Sequence, residues 1–376
     1  MIRRVSVLAV LLGVTLVVWR GMGFLVESLA ERVTAAPPDP AQGGPYRAPR
    51  ARDWTPRLDL AGTWAMRVGD DRAWAADSVG LAGWSTVAVP GAWENAGFHG
   101  LDGTAWLRTT FQATPDLASG APAFLMLGRI DDTDEVWLNG VFVGSTGRPP
   151  PHFETASYIF RRYPVPPGVL RPGRNSLAVR VHDAGLEGGI LEGPVTLSVP
   201  TAANPASVPL VADLAGDWAL RLGERAGDDP AEIAQPGYDD AAWERVRVPA
   251  RWEAQGIDYD GVAWTRRPFT LDDAGRDLVL VMGGVDDLDE AYVNGVRVGA
   301  TGTILTREVR GDEWQRERAY PVPAEVLRPG QNAVAVRIYD DFLDGGIYRG
   351  PVGLMTPEAY AERQALAAAS AAATGR

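Results

Sequence analysis

Apolar and polar residues alternate in short runs along most of the chain. Leu177, Val179 and Val181 alternate with Ala178, Arg180 and His182, and Val334, Val336 and Ile338 alternate with Ala335, Arg337 and Tyr339. A period of two places successive side chains on opposite faces, so these runs predict strands. One stretch organises the rest. The apolar run Leu125 to Ile130 leads into an acidic bend, Asp131-Asp132-Thr133-Asp134-Glu135. Val136-Trp137-Leu138, the pair Asn139-Gly140 and Val141-Phe142-Val143 follow. Asn-Gly between alternating residues predicts a tight hairpin, because both turn residues must reach φ > 0. The pattern returns at Leu280 to Gly299, with Asp286-Asp287-Leu288-Asp289-Glu290 as the bend and Asn294-Gly295 as the turn.

The repetition extends well beyond the hairpin. Leu60-Ala61-Gly62-Thr63-Trp64 matches Leu214-Ala215-Gly216-Asp217-Trp218. Val87-Ala88-Val89-Pro90-Gly91-Ala92-Trp93 matches Val246-Arg247-Val248-Pro249-Ala250-Arg251-Trp252. Trp106-Leu107-Arg108 matches Trp264-Thr265-Arg266, and Leu170-Arg171-Pro172-Gly173-Arg174-Asn175 matches Leu327-Arg328-Pro329-Gly330-Gln331-Asn332. The offset stays between 154 residues (Trp64 to Trp218) and 159 (Trp93 to Trp252). A colinear repeat of this kind is a tandem duplication, and it decides the architecture before any local detail.

Each repeat has short β-branched or aromatic segments punctuated by Gly and Pro, and neither has a long helical pattern. The fold class is therefore all-β: two tandem antiparallel sandwiches, with the jelly roll as the expected arrangement. The expected layout is residues 1–30 as a signal or signal-anchor helix, 31–57 as a Pro/Gly-rich linker and 58–200 as the first sandwich. A linker at 201–210, a second sandwich at 211–355 and an Ala-rich helix or tail at 356–376 complete it. Thr356-Pro357-Glu358 has the hydroxyl, proline and acid of a helix start.

The N-terminal segment has Arg3 and Arg4 before fifteen uncharged residues, Val5 to Trp19. A basic start and an apolar run make an export signal. The run is slightly short for a full span, which needs about 17–25 residues. Arg20, reaching to the interface, would let an uncleaved anchor continue, whereas Ser28-Leu29-Ala30 offers a cleavage site. Either reading places the remainder outside the cytoplasm, periplasmic or on the cell surface, with the N-terminal segment as its contact with the membrane.

Composition narrows the chemistry. The net charge is −12 and every basic residue is Arg, which disfavours nucleic acid and anionic membrane surfaces as partners. The absence of cysteine excludes disulfides, thiolate metal sites and a cysteine nucleophile. His99, His152 and His182 form no metal-protease pattern, and no nucleophile elbow or phosphate loop is present.

With these motifs laid out, each repeat resembles the sugar-binding jelly-roll domain of glycoside hydrolase family 2 enzymes, also inserted in sialate O-acetylesterases. The resemblance covers about residues 58–199 and 211–354, and it rests on the motifs quoted above taken together. It implies a galactose-binding-like fold and a carbohydrate ligand. In those enzymes a separate barrel carries the catalytic glutamates, and this chain has no stretch for one, so their activity is not expected to carry over.

Sugar recognition needs an aromatic face together with oriented hydroxyl partners. The loop from Trp93 to Trp106 offers Phe98, His99 and Asp102, and its equivalent from Trp252 to Trp264 offers Tyr259 and Asp260. The framing tryptophans themselves read as core. A second loop places Asp183 and Glu187, or Asp340 and Asp344, beside paired glycines. Asp131, Asp134, Asp286 and Asp289 are weak candidates for calcium, which prefers hard oxygen ligands, and Arg108 and Arg266 are expected to pair with one of these acids. The sequence therefore predicts an exported, non-catalytic carbohydrate-binding protein. The alternatives are an accessory or sensor ectodomain docking on another envelope protein and a residual glycosidase.

Overall fold

The computed structural model describes residues 50–119 and 122–373. The expected signal or anchor helix lies outside them. Among the described residues no helix is long and apolar enough to cross a membrane.

The first repeat contributes strands β1 (Trp54–Asp59), β2 (Gly62–Val68), β3 (Ser85–Val89), β4 (Gly91–Ala92), β5 (Gly103–Ala113), β6 (Phe124–Asp131), β7 (Thr133–Leu138), β8 (Val141–Thr146), β9 (Phe160–Pro164), β10 (Gly173–Asp183) and β11 (Gly189–Pro200). The second contributes β12 (Ala212–Asp213), β13 (Gly216–Leu222), β14 (Glu244–Val248), β15 (Gly261–Leu271), β16 (Leu278–Asp286), β17 (Leu288–Val293), β18 (Val296–Thr301), β19 (Glu317–Val322), β20 (Gly330–Asp340), β21 (Gly346–Arg349) and β22 (Gly353–Met355). One sheet of the first repeat runs β3-β2-β5-β10-β7-β8 and the other β1-β11-β6-β9, with β4 on β11. The second repeat runs β14-β13-β15-β20-β17-β18 and β12-β22-β16-β19, with β21 on β16. The six-stranded orders correspond element by element, and in the smaller sheet of the second repeat β21 and β22 together stand where the first has β11.

Each repeat is a β-sandwich, because side chains from both of its sheets meet in one core. Trp64, Leu107, Val136 and Val179 face Leu125, Leu127, Ile130 and Leu197. In the second repeat Trp218, Val293 and Val336 face Leu280, Met282 and Leu354. Full burial of one such aliphatic side chain stabilises by about 1.5–3 kcal/mol.

The six-stranded sheets are buried on their other face too. Trp106, Trp137 and Ala178, which alternate with core residues along their strands, pack with Trp74, Trp84 and Phe142. Trp106 and Trp137 stack at 5.0 Å. In the second repeat Trp243, Trp264, Tyr292 and Ile233 form the equivalent layer. The segments of looser composition after β2 and β13 supply its cover.

Several sequence motifs resolve into single bonds. In Leu-Ala-Gly-x-Trp the indole Nε1 of Trp64 donates to Leu60 O at 2.8 Å, and that of Trp218 to Leu214 O at 2.7 Å. Asn139 and Gly140 adopt φ 54° and 78°, and Asn294 and Gly295 adopt 49° and 88°, giving the hairpins the turn residues predict. The turn asparagines also donate to Asn175 Oδ1 and Asn332 Oδ1 at 2.7 Å, which ties the Pro-Gly-x-Asn motif to the hairpin.

The tail forms a helix, Pro357–Ala372, capped by the Thr356 hydroxyl, which accepts from Ala359 N at 3.1 Å. No residue of the helix is fully buried. Ala359, Tyr360 and Leu366 nonetheless pack against Val208, Val281 and Met355.

Backbones approach most closely where β6 meets β11 and where β16 meets β21. Gly283 lies at φ +53°, and a β-carbon there would fall 1.8 Å from Arg349 O. Gly283→Ala is expected to cost about 3 kcal/mol, since neither backbone can yield without breaking its ladder. Urea denaturation of the variant measures this, and an unchanged midpoint would contradict it.

Candidate functional site

The acidic bends lie largely in buried strand, and their acids pair with Arg. Thr133 to Leu138 is buried throughout β7. Asp134 accepts from Arg161 Nε at 2.6 Å and from the Tyr163 hydroxyl at 2.5 Å, and Asp289 accepts from Arg318 Nε at 2.7 Å and the Tyr320 hydroxyl at 2.8 Å. Both oxygens of each acid are thus engaged, and neither acid is offered to an ion as the sequence proposed. Arg108 and Arg266 also have other partners: Arg108 donates to Trp74 O, and Arg266 pairs with Asp240. Both partners lie on the covering segments, and the guanidiniums follow them to the outer face.

Each arginine network also holds the bend beside it. Arg161 Nη2 donates to Asp132 O at 2.8 Å, and Arg318 Nη2 to Asp287 O at 2.6 Å. The Asp131–Asp132 and Asp286–Asp287 peptides, both cis, are presented at these points toward the ends of β10 and β20.

A carboxylate cluster forms there in each repeat. In the first it gathers Asp131, Asp132 and Asp183, with one oxygen of each lying within 4.8 Å of the others. Asp132 is anchored, accepting from the Thr155 hydroxyl and from Ala184 N at 2.9 Å. Asp183 is fully buried, and its Oδ1 accepts from Gly185 N at 2.9 Å. Glu94 closes the cluster through Oε2, which accepts from Gly188 N at 3.2 Å. Oxygens Asp183 Oδ2 and Glu94 Oε1 are shielded from solvent and meet no donor. The equivalents Asp340 Oδ2 and Glu253 Oε1 share this state.

The paired glycines make this approach possible. A β-carbon on Gly188 would fall 2.0 Å from the Trp93 ring and 2.8 Å from Asp183 Oδ2; on Gly345 it would fall 2.3 Å from Trp252 and 3.0 Å from Asp340 Oδ2. The tryptophans are core, as expected, and they also floor the clusters.

Crowded carboxylates in a dry site hold their protons. Burial, followed by the hydrogen bond and charge of Asp132, pushes Asp131 up to about 7. In the second repeat burial and the Asp287 charge push Asp286 to about 8, burial and the Asp286 charge push Asp340 to about 9, and burial pushes Glu253 to about 7. Perturbed groups concentrated in one place mark a functional-site candidate.

The two clusters differ in cations. Asp344 pairs with Arg251 at 3.3 Å and with Arg148, which reaches over from the first repeat, at 3.0 Å. Arg251 also offsets the charge of Asp286. In the first repeat Ala92 stands where the second has Arg251, and Glu187, at the Asp344 position, is exposed.

The aromatic faces expected to receive a sugar are mostly used internally. Phe98 is half-buried against the first core. Tyr259 is half-buried against the second, and its hydroxyl donates to Val262 O at 3.1 Å. His99, Asp102 and Asp260 are exposed. Asp183 and Asp340 therefore each join the carboxylate cluster of their own repeat, whereas Phe98 and Tyr259 pack partly against the cores. Glu94, Glu253, Asp132 and Asp287 are the members that loop reasoning passed over; their recurrence at matched positions after Trp93, Trp252, Asp131 and Asp286 was the available signal.

No protein-family model matches the chain. Over 359 residues, 86% of this chain and 32% of the relative, it is 26% identical to an alpha-L-rhamnosidase of Streptomyces avermitilis. Over 103 residues, 23% of this chain and 11% of the relative, it is 31% identical to the beta-galactosidase BoGH2A of Bacteroides ovatus. The chain thus spans a third or less of the length of these relatives. Among solved structures it is similar to a beta-glucuronidase of Bacteroides uniformis (13% identity, TM-score 0.33, 77% of this chain and 28% of that one). It is also similar to one of Bifidobacterium dentium (15% identity, TM-score 0.33, 78% and 43%). The resemblance that the motifs carry agrees with the sequence similarity to the beta-galactosidase.

Proposed function

We propose that the protein is an exported, non-catalytic carbohydrate-binding protein built on two jelly-roll domains. The observation that carries this reading is the twice-built carboxylate cluster, with its unpaired buried oxygens beside Trp93 and Trp252. Such oxygens accept from hydroxyls, and polyol recognition needs acceptors fixed in advance. The similarity to glycosidases supports a glycan as the ligand. Export rests on the N-terminal segment and is tested by fractionation of the native host.

Calorimetric titration with galactosides, glucuronides, rhamnosides and cell-wall polymers tests the reading. At least one class should bind, and Asp183→Asn together with Asp340→Asn should weaken it by about tenfold or more, the worth of one charge-assisted hydrogen bond. Silence across the panel would end the proposal, as would turnover of chromogenic glycosides by the purified chain. A protein partner is the second reading, favoured by Leu186 and Leu305, which are 91% and 88% exposed.

A further inference from the structure

We infer that the first repeat, and not the second, binds one hard divalent cation, calcium in preference to magnesium, at Asp131, Asp132 and Asp183. This does not rest on the carbohydrate reading. One oxygen of each of the three carboxylates lies within 4.8 Å of the others, so a single ion can touch all three. Several converging protein oxygens suit calcium, whereas magnesium usually keeps most of its waters. Proximity alone is common among acidic groups, and a separate observation points to a ligand: Asp183 is fully buried and its Oδ2 has neither solvent nor donor. Ionising that oxygen with no partner would cost several kcal/mol, which a bound ion would offset.

The duplication supplies an internal comparison. The second repeat keeps the same acids, Asp286, Asp287 and Asp340, but provides its own cation, with Arg251 acting on Asp286 and bound to Asp344. Among the described residues, only Asp131, Asp132 and Asp183 form a group with metal-ligand spacing. The first repeat has Ala92 in place of that arginine, and the guanidinium that acts on Asp131 is Arg129, paired with Glu192 at 2.6 Å.

Chelator-stripped full-length chain titrated with terbium tests this, because Trp93 lies against Asp183 and sensitises a bound lanthanide. One ion per chain is expected, with calcium displacing it at concentrations at least about tenfold lower than magnesium does. Asp131→Asn should weaken binding by about tenfold or more and Asp340→Asn should leave it unchanged. Ala92→Arg, which installs the residue the second repeat tolerates, should abolish binding while the protein keeps its far-ultraviolet dichroism. Calcium should also raise the Tm of the wild type and not that of the Ala92→Arg variant. Absence of sensitised emission, a stoichiometry of two, or unaltered affinity in folded Ala92→Arg would each overturn the inference.

Discussion

Asp289→Ala is expected to destabilise the second repeat by about 3–5 kcal/mol, the usual cost of leaving a buried charge without its partner. Arg318 and Asp289 have fully buried side chains, so water cannot replace the lost carboxylate. The loss is large against a total stability of about 5–15 kcal/mol. Replacing both partners by apolar residues should recover only part of it. Arg318 also donates to the carbonyls of Asp287 and Arg316, at 2.6 and 2.7 Å, and to that of Glu313. Each carbonyl left without a donor costs about 1–3 kcal/mol. The effect also reaches the candidate site, because the Asp287 carbonyl belongs to the bend that carries Asp286. Chemical denaturation with two probes checks this, and a loss under about 1 kcal/mol would show the network to be dispensable.

The second large effect is a fall in stability as pH rises through the neutral and mildly alkaline range. Asp340, Asp286 and Glu253 have folded values of about 9, 8 and 7, all raised above the ordinary carboxyl range chiefly by burial. The folded state therefore keeps protons that the unfolded chain has already released. Their stabilising contribution is complete below the unfolded values, falls from there as pH rises, and is gone once pH passes the folded values of about 7, 8 and 9 in turn. Each retained proton contributes a slope of about 1.4 kcal/mol per pH unit between its own unfolded and folded values. Asp340→Asn is neutral at every pH and should remove one proton's share of the slope, so that the variant overtakes the wild type in Tm at the alkaline end. Thermal unfolding across buffers from about pH 5 to about 9.5 decides it, and a flat wild-type profile would refute it.

Much of the fold was legible because it depends on local chemistry repeated twice. Asn139-Gly140 and Asn294-Gly295 specify their hairpins through backbone conformation alone. The period-two runs specify β10 and β20, and the matched order of motifs specifies two sandwiches of one kind. What misled was charge read without depth. Asp134 and Glu135 look like surface residues in sequence, yet they are buried because Arg161 and Arg180, distant in the chain, reach them. Phe98 and Tyr259 look available, yet hydrophobic packing takes them first.

The amino-acid sequence by itself determined the duplicated all-β architecture, its turns and its tryptophan core, since each follows from propensity and period over a few adjacent residues. Only the tertiary structure decided which acids share a site. Asp131 and Asp183 are brought together by the pairing of distant strands, and whether a buried carboxylate meets an arginine, a proton or an ion depends on what packs beside it. Ala92 and Arg251 occupy matched positions in the two repeats, and that difference acquires its meaning from the acids folded against it.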